Sequence, residues 1–178
     1  MEADVIFGDP NSFSISCSNN KQSISQELND YCYWRLGNKL IGDPREPCYL
    51  PAWLAALDNF YRYRLPRILA FEADLDDVVQ DIFTKQQDEW SDSVRRAWEI
   101  HQVSLDETQD AWLLMAHRKG IGIQFTWMGW REPCPSVGIG KVFSVWANTN
   151  LVKESIVDCL KNYKHSFPFT TETISPIQ

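Results

Sequence analysis

The sequence predicts an α+β domain in which a mostly antiparallel, twisted sheet packs against three to four helices. Three observations predict it. Residues 1–43 and 111–147 carry short alternating segments of aromatic and β-branched residues, divided by Gly, Asn, Asp and Pro. The middle of the chain instead spaces its apolar residues at three and four, as helices do. The two patterns are segregated, whereas a parallel sheet would require them to alternate. With 178 residues and 44% hydrophobic content, the chain can bury a core as one domain. That domain is expected over 1–164, with the Ser-, Thr- and Pro-rich residues 165–178 as a loose tail.

Val5 to Phe7 and Phe13 to Cys17 read as the first strands, the second alternating Phe13, Ile15 and Cys17 with serines. Gly8-Asp9-Pro10-Asn11 between them has turn chemistry, because Gly tolerates positive φ and Asp and Asn bond their own backbone. Residues 18–29 are polar and read as a loop. Tyr31 to Leu36 alternates again, Gly37-Asn38 reverses the chain into Lys39 to Ile41, and Gly42-Asp43-Pro44 ends the meander.

Helices follow. Pro51 suits a first helical turn, with Trp53, Leu54, Leu57, Phe60 and Tyr61 on one face. Asp74 is a good N-cap for a helix whose stripe is Leu75, Val78, Val79, Ile82 and Phe83. Residues 88–97 fit a helix, but Trp98 to Leu105 also fits a strand, and periodicity alone leaves both readings open. Ala111 to His117 and Ile121 to Trp127 form a hairpin about Arg118-Lys119-Gly120, Lys141 to Ala147 a further strand, and 150–164 a last helix.

The net charge of −7 is unevenly placed. Residues 72–110 hold 12 acids against Lys85, Arg95 and Arg96, a balance of −9, and the remainder carries +2. Such a surface repels nucleic acid and anionic lipid and attracts a basic protein. Arg62, Arg64 and Arg67 form a small basic cluster expected to pair with these acids.

Catalytic patterns are missing. Of three histidines, His165 falls in the tail, His117 beside a turn where it should be solvated, and His101 near Trp98 as a half-buried structural group. No serine sits in a nucleophile-elbow motif. Gly138-Ile139-Gly140-Lys141 leads into a strand, whereas a phosphate loop leads into a helix. Asp74-x-Asp76-Asp77 lacks the Gly and distal Glu of a calcium loop. Cys17, Cys32, Cys48, Cys134 and Cys159 are irregularly spaced with no C-x-x-C pair, so they are expected as reduced, buried thiols without zinc. No cofactor is implied. Most tryptophans (Trp34, Trp53, Trp98, Trp112, Trp127, Trp146) are expected in the core, and Trp90 and Trp130 at the surface. The chain has no apolar run of membrane-spanning length and no secretory leader, so a cytoplasmic location is expected.

The front of the chain, Gly8-Asp9-Pro10-Asn11-Ser12-Phe13-Ser14-Ile15 and then Tyr31-Cys32-Tyr33-Trp34-Arg35-Leu36-Gly37-Asn38-Lys39-Leu40-Ile41-Gly42-Asp43, resembles immunity protein family 42 of bacterial polymorphic-toxin and contact-dependent growth-inhibition systems. The matching positions are Gly8, Phe13, Ile15, Cys32, Tyr33, Trp34, Gly37, Ile41, Gly42 and Asp43, over about a quarter of the chain. The resemblance implies a non-enzymatic inhibitor whose partner is a cognate toxin domain at the C-terminus of a large secreted effector. The charge fits a basic nuclease, RNase or DNase, with a tRNA-cleaving RNase as one case; no direct nucleic-acid or membrane partner is implied. The candidate docking residues are then Asp74, Asp76, Asp77, Asp81, Asp88, Glu89, Trp90, Asp92, Asp106, Glu107 and Asp110. The competing reading is a small hydrolase or carbohydrate-binding module built from clustered carboxylates and exposed Trp90 or Trp130; it requires a concave pocket lined by both.

Overall fold

The computed structural model describes residues 4–18, 29–43, 46–71, 74–104, 111–129 and 139–163. Antiparallel strands are divided among three sheets, and four α-helices flank them. The first sheet has the order β1 (Val5–Gly8), β2 (Phe13–Cys17), β4 (Cys32–Leu36), β5 (Lys39–Ile41), with β3 (Asn29–Asp30) and β6 (Cys48–Tyr49) forming a separate short ladder. The third sheet is β7 (Trp112–Lys119), β8 (Gly122–Gly129), β9 (Val142–Asn148). The helices are α1 (Leu50–Asn59), α2 (Leu75–Thr84), α3 (Asp92–His101) and α4 (Thr149–Tyr163).

Turn chemistry sets the register of the first sheet. The Asp9 carboxylate accepts from the Asn11 backbone N–H at 2.9 Å, closing the β1–β2 turn. Gly37 and Asn38 both have positive φ, 54° and 65°, the type I′ geometry that matches the twist of the flanking strands. Phe13 is thereby placed opposite Leu36, and Ile15 opposite Trp34. Gly8 lies against α4, where any Cβ would meet the Ser155 hydroxyl.

The main core joins one face of the first sheet to one face of the third, closed by α1 and α4. Phe13, Trp34, Phe60 and Phe125 interlock, with Trp34 edge-on to each of the other three at ring separations of 5.2 to 6.0 Å. The opposite face of β7 and β8 carries Leu113, Met115 and Met128, which α2 and α3 cover with Leu75, Val78, Val79, Val94 and Ala97. Strands β7 and β8 are thus covered on both faces, which is why β8 is closed to solvent along nearly its whole length.

The segment left open by periodicity is helical to His101. The Ser91 hydroxyl caps α3 by accepting from the Val94 N–H, and after it strand pairing among the described residues is limited to a bridge between Gln102 and Met115. Three expectations are corrected. Trp146, on the edge strand β9, is 45% exposed, with its ring against Gly122 of β8. Trp90 is half-buried, 5.9 Å from Trp98, with its Nε1–H donating to the Lys85 carbonyl. His117 is buried beneath the α2–α3 layer, because β7 continues through it to Lys119. Trp34, Trp53, Trp112 and Trp127 are buried as expected, and Trp98 is half-buried. Trp130, most of the 18–29 loop and the 165–178 tail lie outside the described residues.

Candidate functional site

The described part of the acidic stretch forms one layer. Residues 74–101 run as α2, a short 3-10 turn (Gln87–Glu89) and α3, all on the outer side of the third sheet. This layer carries eight acids against Lys85, Arg95 and Arg96, a formal −5. Its charge is a consequence of amphipathic folding: the apolar stripes turn inward to the sheet, and the carboxylates occupy what remains.

The carboxylates have different local partners. Asp74 caps α2 by accepting from the Asp76 N–H at 3.0 Å. Asp76 reaches down to the sheet, where its Oδ1 accepts from Ser144 at 2.5 Å and from Thr126 at 3.3 Å. Asp81 pairs with Lys85 at 2.8 Å, one helical turn away. Glu89 accepts from the Gln86 N–H, completing a capping box. These four groups therefore have structural work within the layer. Asp77, Asp88 and Asp92 are exposed and make no hydrogen bond or ion pair with the described residues, so they are the candidates with charge free to meet a partner. Asp106, Glu107 and Asp110 lie outside the described residues.

The arginine cluster does not neutralise this layer. Arg62 pairs with Asp58 at 2.8 Å within the preceding helix, and Arg64 donates to the Gln102 carbonyl at 2.7 Å. None of the described acids of residues 72–110 pairs with the cluster; Arg62 is held by a helical pair and Arg64 by a backbone carbonyl of that stretch. The reason is geometric: the chain passes from α1 through a π-helical stretch (Phe60–Arg64) into a 3-10 turn (Leu65–Arg67), which sets Arg64 and Arg67 beside the end of α3 and leaves Arg62 facing back to α1. Two adjoining concavities of about 340 and 130 Å³ result, sharing Phe60, Arg64, Gln102 and Val103 in their walls. Neither is lined by a carboxylate among the described residues. Tyr63, Leu69 and Ile100 are exposed nearby, a mixture of aromatic, aliphatic and Arg side chains typical of protein interfaces. Periodicity could not find this surface, because a π turn shifts the helical phase; the Arg-Tyr-Arg run was its only signal.

Neither described histidine is an exposed base. The His101 Nδ1 bonds the Ala116 carbonyl at 3.0 Å, and His117 is buried beside it. Burial lowers both imidazoles below their usual range. Among the described residues no group of three or more His, Cys, Asp or Glu is placed to hold a metal ion, and no helix is long and apolar enough to cross a membrane.

No family model matches the sequence, and no curated protein matches it at a significant level. Comparison of the folds is informative. The structure superposes on the crystal structure of CdiI from Burkholderia dolosa AUO158 with a TM-score of 0.59. The fold is similar to that of this CdiI. The match covers 89% of this chain and 99% of that CdiI, so it takes in nearly the whole arrangement described above. Sequence identity is 15%, so what the two chains share is the architecture. The α+β class and the antiparallel pairing read from the sequence agree with that CdiI fold.

Proposed function

We propose that this chain is an immunity protein of a contact-dependent growth-inhibition system, which binds and neutralises a cognate toxin domain in the cytoplasm and has no catalytic activity of its own. The observation that carries this reading is the near full-length likeness to a CdiI. The front hairpin residues add an assignment to immunity protein family 42. The partner is a basic nuclease, and the α2–α3 layer is the surface that enters its substrate cleft: a formal −5 concentrated on one side of the molecule steers a basic partner and competes with phosphate for its cleft. The hydrolase or sugar-binding alternative gains no support from the two described concavities, whose walls carry Arg64 and no acid.

The test is co-expression with the toxin domain encoded beside this gene, scoring growth rescue and co-purification. Rescue with a stable complex is expected; absence of both rejects the immunity role. The docking surface is tested by replacing Asp77, Asp88 and Asp92 together with Lys. Association should slow by about tenfold or more at low salt, and its salt dependence should flatten. Unchanged association with intact rescue would move the docking surface elsewhere.

A further inference from the structure

Four of the five cysteines come from four separate elements and converge in the main core: Cys17 from β2, Cys32 from β4, Cys48 from β6 and Cys159 from α4. The Cys17 and Cys32 sulfurs are 2.7 Å apart, Cys17 also contacts the Cys159 thiol, and Cys32 contacts that of Cys48. Cys17 and Cys32 are directly opposed across the antiparallel β2–β4 ladder. The adjacent pair is hydrogen-bonded, with the Ser18 N–H donating to the Tyr31 carbonyl at 2.9 Å. Alternation along the ladder makes Cys17–Cys32 a non-hydrogen-bonded pair, in which the Cα atoms approach to about 4.5 Å and the side chains are closest. That spacing lies within the range a disulfide spans without moving the backbone.

We propose that Cys17 and Cys32 are a reversible dithiol–disulfide pair, closed by a small peroxide oxidant. Two S–H bonds and the peroxide O–O bond break, while one S–S bond and two O–H bonds form. Each sulfur gives up one electron; the peroxide takes both electrons and both protons and leaves as two waters. A dithiol reductant returns the pair to thiols by exchange. The surroundings favour Cys17 as the attacking sulfur: burial alone would push its thiol up, but hydrogen bonds from Cys159, Cys32 and Tyr163 outweigh that and hold it well below the usual range. Burial holds Cys32 and Cys159 up. Both sulfurs are sealed, at 0 and 4% exposure, so a small uncharged oxidant suits the site and local opening sets its rate. Closure cross-links β2 to β4 and removes the freedom of the 17–32 segment in the unfolded chain.

The experiment uses the full, reduced chain incubated with hydrogen peroxide in modest excess, then quenched in acid, denatured in excess alkylating agent and mapped by mass spectrometry. A Cys17–Cys32 cross-linked peptide with the loss of two hydrogens is expected, reversible with dithiothreitol and accompanied by a higher thermal midpoint. The Cys48→Ser and Cys159→Ser variants should retain the same cross-link. A different pairing, no cross-link, or stoichiometric zinc held by these thiols in the purified protein would overturn the proposal.

Discussion

Asp76 and Asp77 are neighbours in sequence and carry the same charge, but the structure gives them different tasks, and replacing each with Ala separates those tasks. Asp76 accepts from Ser144 and Thr126, tying α2 to the third sheet. Bonds to a charged acceptor contribute about 1.5–3 kcal/mol when buried; Asp76 is only half-buried, so about 1–2 kcal/mol is the reasonable expectation for its loss. The figure is held down because Thr126 keeps Ser144 as a partner at 2.9 Å and is not left orphaned. In a chain of 178 residues this lowers the thermal midpoint by about 2–8 °C. Asp77 makes no such bond, and in the first turn of α2 its charge is worth about 0.3–1 kcal/mol through the helix dipole. Ala recovers part of that through its helix propensity, so a shift of about 2 °C or less is expected. Thermal and urea unfolding of the two variants, followed by circular dichroism, make the comparison. Because each removes one negative charge, a net-charge effect cancels between them. Equal midpoints for the two variants, or a larger loss at Asp77, would refute the anchoring role and with it the choice of docking residues.

Two further outcomes follow from packing and protonation. Gly122→Ala places a Cβ 2.3 Å from the Trp146 ring and 2.5 Å from the Ala147 carbonyl; the ring can lift but the carbonyl cannot, so a loss of about 1–3 kcal/mol is expected by urea unfolding, with altered tryptophan fluorescence. Burial holds His101 and His117 below the ordinary imidazole range, so the unfolded chain takes up protons first as the pH falls through about 6.5. Stability should therefore be complete above that value and decline below it. Thermal midpoints measured from about pH 7.5 to 5.5 check this, and His117→Leu should flatten the decline.

The fold class, most strand and helix locations and the turns were legible because they rest on local chemistry. Alternation marked β2, β4 and β8, Gly37-Asn38 marked a hairpin, and Asp74 and Pro51 marked helix starts, each acting within a few residues of itself. The buried Trp34, Trp112 and Trp127 followed from the same alternation, and Trp53 from the helical spacing of its apolar face. Trp146 did not, because β9 is the outer strand of its sheet and a period of two says which residues share a face without saying whether that face is covered. His117 failed for the same reason in reverse: a residue near a turn is buried when two helices lie across the strand.

For the candidate site, composition alone placed the negative charge in one stretch of the chain. Which carboxylates are free was a tertiary matter. Asp76 and Asp77 are indistinguishable as letters; what separates them is a 68-residue sequence separation to Ser144, closed only when β9 pairs with β8 and α2 settles on that sheet. The four converging cysteines make the same point more sharply, since irregular spacing concealed a cluster that exists only once β2, β4, β6 and α4 share a core. The amino-acid sequence by itself thus determined the class of fold, the local elements and the sign of the surface charge, all of which depend on interactions between near neighbours. Only the tertiary structure decided which acids face a partner, which arginines are occupied and which thiols touch, because each depends on groups brought together by packing across the chain.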